Sequence, residues 1–386
     1  MEDFISGEYK KYFYDKETEY NSFIPGWVNR QFNWKDNEIY TLLSKSDRLI
    51  GQLNSFSGLI PDIDVFILMH IITEASKSSK IEGTQTDIDE AILPEKVIKP
   101  EKRDDWNEVQ NYIKAMDFAI EELKKIPLCM RLINETHKRL LSGVRGAGQQ
   151  PGSIRKKQNW IGVKDLLGKA TIENAIFIPP HHSTLPDLLS DLEKFWHNDQ
   201  IKIPEFIKIA ISHYQFETIH PYNDGNGRIG RLLITLQLVD YGLLEKPMLY
   251  ISDFFEKNKG FYYDSLSRVR QTNNLKQWIE FFLTGVIATA EKASDTFKKI
   301  IELRKEYDNK IRSFGSSAQN GGKLLLEMFS TPMMNKNEVA KKLGVSYNVA
   351  ARLIKRFLKS NMVVEYIPPG TKKRYYALWE YLNLFR

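Results

Sequence analysis

Apolar residues recur three and four positions apart along most of the chain, a spacing that places them on one face of an α-helix. The N-terminal third contains two such segments, Asn37–Leu53 and Ile63–Lys80. The same periodicity predicts further helices at Trp106–Lys124, Met130–Leu141, Leu185–Trp196, Pro204–Thr218, Gly227–Tyr241 and Gln277–Arg304. The pattern therefore predicts a mainly α-helical fold.

The helical pattern is interrupted over residues 143–168, a segment that holds six glycines. Trp160, Ile161 and Val163 form a short strand-like patch there. A second patch, Ala175–Ile178, is closed by two prolines. We expect the two patches to pair as a small β-hairpin.

The C-terminal segment has a pattern of its own. The small polar residues Ser313–Gly322 predict a linker. Beyond it, the sequence predicts two helices, Asn335–Leu343 and Tyr347–Lys359, and then two strands at Met362–Ile367 and Arg374–Leu378 around Pro368-Pro369-Gly370-Thr371. Two helices followed by a two-stranded ribbon are the order of a winged helix-turn-helix.

Composition restricts the class of protein. Of the 386 residues, 42% are hydrophobic and 27% are charged, as in an ordinary folded protein. A single cysteine, Cys129, excludes an intramolecular disulfide and a multi-cysteine metal site. No apolar run approaches the roughly 20 residues of a membrane span, and the acidic, aromatic N-terminus is unlike a secretion signal. We expect a cytoplasmic protein without a membrane partner.

Charge is concentrated near the C-terminal end of the sequence. Lys323–Arg386 contains 12 Lys or Arg and 4 Asp or Glu, a net charge of +8, whereas the preceding 322 residues sum to −2. The basic side chains fall on the second helix and at the ribbon tip: Arg352, Lys355, Arg356, Lys359, Lys372, Lys373 and Arg374. This placement suits DNA phosphates. A solvated surface, protein contacts or pairing of two copies as a homodimer remain open alternatives.

The residues richest in chemical function lie at Ile219–Arg231, IHPYNDGNGRIGR. Gly225, Asn226 and Gly227 predict a tight turn at the start of a helix, where free backbone N–H groups make an anion site. Arg228 and Arg231 are three positions apart and share one helix face. Two guanidinium groups beside such a turn suit a polyphosphate.

Two further side chains complete this segment. Asp224 precedes the turn and offers an oxygen ligand for Mg²⁺, which usually binds through one or two carboxylates and phosphate oxygens. His220 lies on the near side of the turn, and an imidazole that titrates near neutral pH can accept a proton from a hydroxyl. Base, metal ligand and phosphate cradle thus occur within 12 residues. His181, His182, His213 and Glu217 lack a zinc-site spacing and are interpreted as structural or surface residues.

The segment His220–Arg231 resembles the signature of the Fic (filamentation induced by cAMP) family, H-P-F-x-D/E-G-N-G-R-x-x-R. Tyr222 is the one departure, an aromatic replacement for Phe. The resemblance covers most of residues 30–290 and extends to residues on both sides of the signature: Arg145, Pro151-Gly152, Arg155, Gln158-Asn159-Trp160-Ile161-Gly162, Ala175, Ile178-Pro179-Pro180, Tyr262-Tyr263, Trp278 and Phe281-Phe282.

The resemblance implies a protein adenylyltransferase, which moves AMP from ATP to a Ser, Thr or Tyr hydroxyl of a target protein, or of the chain itself. His220 would deprotonate the hydroxyl, and Asp224 would hold Mg²⁺. Gly225, Asn226 and Gly227 would form the anion hole, and the arginines would clamp the β- and γ-phosphates. The predicted hairpin would be the flap that holds the target segment as an added strand, through Ile161, Gly162, Ala175, Ile176 and Phe177. For ATP we also name Asn258 and Tyr262 as candidate contacts.

Ser78 and Glu82 match the family's inhibitory signature, S/T-x-x-x-E-G/N, in the sequence SSKIEG. They are four positions apart on one helix face. The resemblance implies that Glu82 pairs with Arg231 and denies that guanidinium to the γ-phosphate. The chain would therefore be an adenylyltransferase that inhibits itself.

The domain organisation implied is a helical N-terminal region at 1–126 with the inhibitory helix, a Fic core at 127–290, a helix and linker at 291–322, and the winged helix at 323–386. Three other activities compete on this scaffold: transfer of UMP, phosphocholine or phosphate, removal of AMP with Glu82 positioning water, and nucleotide sensing by a DNA-binding regulator.

Overall fold

The computed structural model describes residues 4–14, 18–59, 63–162, 171–369 and 371–386. Its helices are α1 Asn37–Leu59, α2 Ile63–Ile81, α3 Ile88–Ala91, α4 Arg103–Leu123, α5 Met130–Leu140, α6 Leu185–His197, α7 Glu205–Ile219, α8 Asn226–Asp240, α9 Ser252–Lys257, α10 Lys259–Thr272, α11 Leu275–Arg312, α12 Ala318–Ser330, α13 Lys336–Leu343, α14 Tyr347–Lys359 and α15 Trp379–Asn383. Its strands are β1 Gly7–Phe13, β2 Glu19–Pro25, β3 Ile161–Gly162, β4 Ala175–Phe177, β5 Met333–Met334, β6 Val364–Tyr366 and β7 Tyr375–Ala377. The predicted mainly α-helical fold is confirmed.

Helices α7 and α8 form the centre of the core. The sequence of α7, EFIKIAISHYQFETI, is apolar on nearly all sides, which is typical of a helix buried all round. Trp278 of α11 lies against it and donates from Nε1 to the Ala210 carbonyl oxygen at 2.7 Å. The short connection between α7 and α8 carries the signature residues, so the most buried pair of helices holds the candidate site.

The N-terminal region contains the predicted helices and also a β-hairpin that was not predicted. Strands β1 and β2 pair antiparallel from Gly7 with Pro25 to Phe13 with Glu19. An isolated two-stranded hairpin is only marginally stable, so this one depends on its neighbours. Phe23 donates its backbone N–H to the Ile178 carbonyl oxygen at 3.0 Å, next to the flap. A local sequence pattern cannot reveal such a contact between residues that are far apart in the chain.

Helices α9 and α10 were not predicted from the sequence. Their aromatic residues show no clean helical period, and glycine, which disfavours helix interiors, lies at position 260. Tertiary contacts compensate: Phe255 stacks on Tyr262 with ring centroids 4.4 Å apart. The Glu74 carboxylate accepts a hydrogen bond at 3.1 Å from the backbone N–H of Ser252, the first residue of α9, and so satisfies a donor that has no partner within the helix.

The predicted linker at Ser313–Gly322 is shorter in the structure, where only residues 313–317 connect two α-helices. Helix α11 runs unbroken to Arg312, and α12 begins at Ala318. Helix α12 packs through an apolar face on which Leu324 and Leu325 are buried. Because this packing stabilises the whole helix, the helix includes polar residues that the sequence pattern alone assigns to a linker. Two of the predicted domain boundaries, at 290/291 and 322/323, consequently fall inside helices.

The C-terminal elements occur at the predicted positions. Helices α13 and α14 are followed by the ribbon β6–β7, and β5 adds to it in the order β5-β7-β6. Ser346 caps α14 by accepting from the Val349 N–H at 3.4 Å. Gly370, in the predicted ribbon turn, lies outside the described residues, as does Val163 of the first hairpin patch.

This C-terminal unit packs on α2. The Phe66 ring of α2 lies 5.0 Å from Phe329 and 6.3 Å from Tyr381. Arg386 forms an ion pair with Asp89 of α3. In the described ranges, no helix combines the length and apolar character needed to span a membrane.

His70 of α2 lies inside this contact and gives a testable dependence of stability on pH. Burial lowers the pKa of His70 to about 3, and the imidazole packs against Phe385 and Phe297. An unfolded histidine titrates near pH 6.5, so between about pH 6 and 4 the unfolded chain binds a proton that the folded chain does not. The free energy of unfolding therefore falls as the pH falls through this window.

His70→Phe should remove this titration. We expect the slope of unfolding free energy against pH to become shallower by about 1.4 kcal/mol per pH unit between pH 6 and 4. Urea unfolding followed by tryptophan fluorescence at several pH values measures it. An unchanged slope would show that His70 takes up no proton on unfolding.

Candidate active site

The turn between α7 and α8 begins with a residue in an unusual conformation. His220 ends α7 with φ 50° and ψ 61°, in the left-handed region that non-glycine residues rarely adopt. Arg155, only 1% exposed, donates from Nε to the His220 carbonyl oxygen at 3.0 Å and from Nη2 to that of Pro180 at 2.6 Å. Surrounding hydrogen bonds therefore maintain a backbone geometry that is costly by itself.

The His220 side chain is suited to accept a proton. Burial, together with the nearby Arg155 guanidinium, lowers the pKa of His220 to about 4. The imidazole is therefore neutral at pH 7. A neutral imidazole is the form that can act as a general base.

The loop after His220 is braced from within. Asn226 accepts from the Tyr222 N–H and donates to the Tyr222 carbonyl oxygen, both at 2.8 Å. The Tyr222 ring stacks on His137 at 3.8 Å, and its hydroxyl donates to Asn134 Oδ1 at 2.7 Å. The tyrosine hydroxyl has a partner, so the departure from phenylalanine is accommodated. The side chain of Asn226 holds the loop, which leaves only its backbone for a ligand.

His137 is a functional residue that the sequence analysis missed. Burial lowers its pKa to about 4, so the ring is neutral. Its Nδ1 accepts from the Gly152 N–H at 2.8 Å, which leaves Nε2 to donate to the Asp224 carbonyl oxygen at 2.9 Å. His137 thereby fixes the backbone of the predicted metal ligand. Its only sequence signal is a histidine on a helix, which is not specific.

Gly225 and Gly227 open the N-terminus of α8. Gly225 has φ 78°, which a residue with a side chain rarely adopts. Glu82 Oε1 lies against Gly227, where a Cβ atom would come within 2.3 Å of it. The carboxylate of Glu82 thus rests in the turn that was predicted to bind an anion.

The structure pairs Arg231 with both predicted inhibitory residues, Ser78 in the last turn of α2 and Glu82 directly after the helix. The guanidinium, 1% exposed, donates from Nε to Ser78 Oγ and from Nη2 to the Ser78 carbonyl oxygen, each at 2.9 Å. Nη2 also lies 2.6 Å from Glu82 Oε1. Burial acts to raise the pKa of Glu82, but the Arg231 and Arg228 guanidinium groups outweigh it and hold that pKa below its usual value. The pair is therefore ionised.

The guanidinium of Arg228 already has an ion-pair partner, one that the sequence analysis did not single out. It is 4% exposed, and its Nη1 donates to Glu108 Oε2 of α4 at 3.1 Å. Its Nη2 lies 3.7 Å from Asp224 Oδ1. The Asp224 side chain is 43% exposed and has room for a further ligand.

The oxygen donors at the site determine whether Mg²⁺ would fit beside Asp224. One accessible carboxylate beside a turn that was predicted to bind phosphate fits Mg²⁺, which takes its remaining oxygens from water and phosphates. Elsewhere in the described part of the chain, Asp36, Glu38 and Glu280 bring three carboxylates together. Lys276 Nζ lies 2.7 Å from Asp36 and 2.9 Å from Glu38, which neutralises that cluster.

The predicted flap residues form a short antiparallel pair. Ile161 faces Phe177 across β3 and β4, with a register shift at Gly162. Ile176 is 70% and Ile161 41% exposed, whereas Phe177 is buried beneath the Arg270 guanidinium, 4.1 Å above its ring. The flap thus presents alternate side chains outward. Ala175 lies at the other end of β4 and is half-buried.

Of the two candidate nucleotide contacts, Asn258 lies between α9 and α10 and Tyr262 lies within α10. Tyr262 is 1% exposed and its hydroxyl lies 2.8 Å from His213 Nε2, while Nδ1 of that histidine lies 3.0 Å from the Gly230 carbonyl oxygen. Adjacent residues on a helix point about 100° apart, so Tyr262 enters the core while Tyr263 is 41% exposed. Asn258 Nδ2 donates to the Phe254 carbonyl oxygen at 2.9 Å.

His213 and Glu217 are structural neighbours of the site, as interpreted from the sequence. Burial lowers the pKa of His213 to about 3 and raises that of Glu217 to about 7. The Glu217 carboxylate lies against Gly230, where a Cβ would come within 2.1 Å of Oε1. Position 230 is therefore a glycine because a larger side chain would collide with Glu217.

Fold and site together define a helical protein with a neutral histidine beside a helix N-terminus that holds a carboxylate. Two family profiles match the chain, "Fic/DOC family N-terminal" over residues 40–121 and "Fic/DOC family" over residues 127–238. The chain belongs to the Fic/DOC family.

Curated relatives agree with this assignment. A probable protein adenylyltransferase of Aquifex aeolicus is 34% identical over 119 residues, 29% of this chain and 37% of the relative. Protein adenylyltransferase Fic of Aedes aegypti is 26% identical over 181 residues, 46% of this chain and 32% of the relative. The chain thus spans about a third of the length of these curated relatives.

Solved structures share the fold. A Fic family protein from Desulfovibrio desulfuricans G20 aligns over 90% of this chain and 98% of its own, with a TM-score of 0.56 and 19% identity. A Fic domain containing signaling protein from Bacteroides thetaiotaomicron covers 68% of this chain and 97% of its own, with a TM-score of 0.51 and 20% identity.

Proposed function

We propose that this protein transfers AMP from ATP to a hydroxyl group of a target protein. The observation that carries the proposal is the neutral His220 imidazole, one short turn away from the first residues of α8, which include Gly227, Arg228 and Arg231. The name protein adenylyltransferase, carried by the relatives from Aquifex aeolicus and Aedes aegypti, supports it.

In this reaction His220 accepts the proton of the target hydroxyl. The hydroxyl oxygen forms a bond to the α-phosphorus of ATP, the bond from that phosphorus to the bridging oxygen breaks, and pyrophosphate leaves. The backbone N–H groups of Gly225, Asn226 and Gly227 and the two guanidinium groups stabilise charge on the phosphates. Asp224 would hold Mg²⁺, which when bound neutralises phosphate charge.

The pairing of Glu82 with Arg231 supports self-inhibition as a part of this function. A carboxylate in the anion turn stands in for phosphate oxygens, so ATP must displace it to engage Arg231 productively. The exposed edge of the flap at Ile161, Gly162, Ala175 and Ile176, with Phe177 as its buried anchor, would receive the target as an added strand. We retain Asn258 as a nucleotide contact and replace Tyr262 by its exposed neighbour Tyr263.

The test is mass spectrometry of candidate targets, and of the protein itself, after incubation with ATP and Mg²⁺. Addition of one AMP supports the proposal. Addition of UMP, phosphocholine or phosphate in a panel of donors would identify another transfer, and loss of AMP from a modified target would identify removal instead. The reaction compartment proposed is the cytoplasm.

We propose DNA binding as a second function, because basic side chains of α14 point away from the core. Arg352, Lys355 and Lys359 are exposed, as are Lys372 and Lys373 near the ribbon. Arg356 differs from the sequence expectation: its Nη1 donates to the Phe314 carbonyl oxygen. Arg374 lies 3.5 Å from Glu365. A role in pairing two copies would use the same face.

The full chain should bind duplex DNA with an affinity that falls steeply with salt, because lysine and arginine release counterions from phosphates. A triple variant, Arg352→Ala/Lys355→Ala/Lys359→Ala, should bind more weakly and with a smaller salt dependence in fluorescence anisotropy. Arg356→Ala is the matched control and should change little. Undiminished binding by the triple variant would contradict this assignment.

A further inference from the structure

We propose that Glu108 is a positioning residue for the phosphate-binding side of the site, holding Arg228 and the Arg145–Gly146 segment around Asp224. The inference rests on the proposed function, because it assigns Arg228 and Asp224 to ATP and Mg²⁺. Glu108 lies on α4, outside the signature segment, and is 3% exposed.

Glu108 joins three parts of the chain through one carboxylate. Its Oε2 accepts from Arg228 Nη1 at 3.1 Å and from Thr84 Oγ1 at 3.0 Å. Its Oε1 accepts from Arg145 Nε at 2.6 Å. Arg145 Nη2 also donates to Asp105 Oδ1 at 2.8 Å. The donors come from α8, from the segment after Glu82 and from the loop before Gly146.

Burial makes this carboxylate necessary for Arg228. A guanidinium that is 4% exposed requires a counter-charge, because an unpaired buried charge is strongly unfavourable. Glu108 contacts Nη1, and Nη2 points toward Asp224 at 3.7 Å. One edge of the guanidinium is thus fixed from behind, and another faces the side where phosphate would lie. An arginine held in this way loses little rotational freedom when it binds a phosphate.

The contact with Arg145 acts on the opposite side of Asp224. Asp224 Oδ2 lies so close to Gly146 that a Cβ there would come within 2.5 Å of it. Arg145 precedes this glycine and is tied to α4 by Glu108 and Asp105. Glu108 therefore keeps a wall of backbone against the predicted metal ligand.

Loss of the Glu108 charge has a specific consequence. The nearest remaining carboxylate for Arg228 is Asp224, 3.7 Å away. Arg228 would move onto it, which occupies both the phosphate clamp and the metal ligand. ATP and Mg²⁺ should then bind more weakly.

The experiment compares Glu108→Gln with its parent, both in full-length protein that carries Glu82→Gly so that Arg231 is free. We expect the KM for ATP, and the Mg²⁺ concentration needed for half-maximal transfer, to rise roughly 10- to 100-fold, with a smaller change in kcat. Glu108→Asp keeps the charge but cannot reach both arginines, and should give an intermediate KM. It also decides the question if the glutamine variant does not fold.

Two control variants separate positioning from a general structural role. Thr84→Val removes the third donor without touching either arginine, and Glu121→Gln removes an exposed carboxylate of the same helix. Both should leave the KM for ATP unchanged. If Thr84→Val reproduces the effect, Glu108 only anchors the segment after α2, and the proposal is overturned. An unchanged KM in Glu108→Gln also overturns it.

Direct binding of ATP with Mg²⁺, measured by isothermal titration calorimetry, distinguishes failure of this proposal from failure of the proposed function. If the Glu82→Gly parent transfers no AMP, adenylyl transfer is refuted, but nucleotide affinity still reports on Glu108. Weaker ATP binding in Glu108→Gln than in the parent supports the positioning role. Equal binding overturns it.

Discussion

Glu82→Gly should increase AMP transfer by roughly 10- to 100-fold. In the resting chain, Arg231 bonds to Ser78 twice and to Glu82 once, and the Glu82 carboxylate lies in the turn at Gly227. A hydrogen bond to a charged group contributes about 1.5–3 kcal/mol, and each 1.4 kcal/mol is tenfold in an equilibrium. Removing the carboxylate frees both the guanidinium and the anion site for ATP.

The measurement is incorporation of labelled AMP by wild type and Glu82→Gly under identical conditions. Asp87→Gly is a matched control, since it removes an exposed carboxylate five residues further along that lies outside the Arg231 ion pair. Glycine is also tolerated at that helix N-cap. If Glu82→Gly is no more active than wild type, Glu82 does not inhibit, and a role in positioning water gains support.

His220→Ala, introduced into the Glu82→Gly protein, should reduce transfer by about 10²- to 10⁴-fold, the usual contribution of a general base. ATP affinity should remain near that of the parent, since the phosphate contacts come from α8 and its turn. His182→Ala, outside the signature, is the control. Transfer within a few-fold of the parent would remove His220 from the mechanism.

The same assignment determines a pH profile. With a pKa of about 4, His220 stays neutral and able to accept a proton throughout the range from pH 6 to 8. Transfer by Glu82→Gly should therefore show no step from this residue near pH 6.5, where an exposed histidine titrates. A fall in activity that follows a pKa near 6.5 would show that the imidazole is not held neutral by its surroundings.

The sequence pattern correctly predicted the helices whose residues form a regular apolar stripe. Helices with a clean apolar stripe occur close to the predicted bounds: Asn37–Leu53 lies within α1, and Tyr347–Lys359 is α14 itself. Helices α9 and α10 and the hairpin β1–β2 were missed. Their aromatic and glycine residues favour these structures only through contacts with distant segments, such as Phe23 with Ile178.

The residues of the candidate site also divide into those that the sequence predicted and those that it did not. His220, Asp224, Gly225, Gly227, Arg228 and Arg231 lie within one turn and the start of one helix, so their spacing in sequence already places them side by side. Ser78 and Glu82 were found because they match the family's inhibitory signature, and a spacing of four on a helix would place them on one face. These inferences needed only short-range geometry, which sequence spacing determines.

The tertiary structure alone decided which groups are neutral and which carboxylate meets which arginine. His220 is neutral because burial and Arg155 lower its pKa, and no spacing of residues reports burial. Tyr262 and Tyr263 are adjacent in sequence, yet only packing shows which one enters the core. Glu108 meets Arg228 from 120 positions away, because α4 packs against α8 and a buried guanidinium requires a close counter-charge.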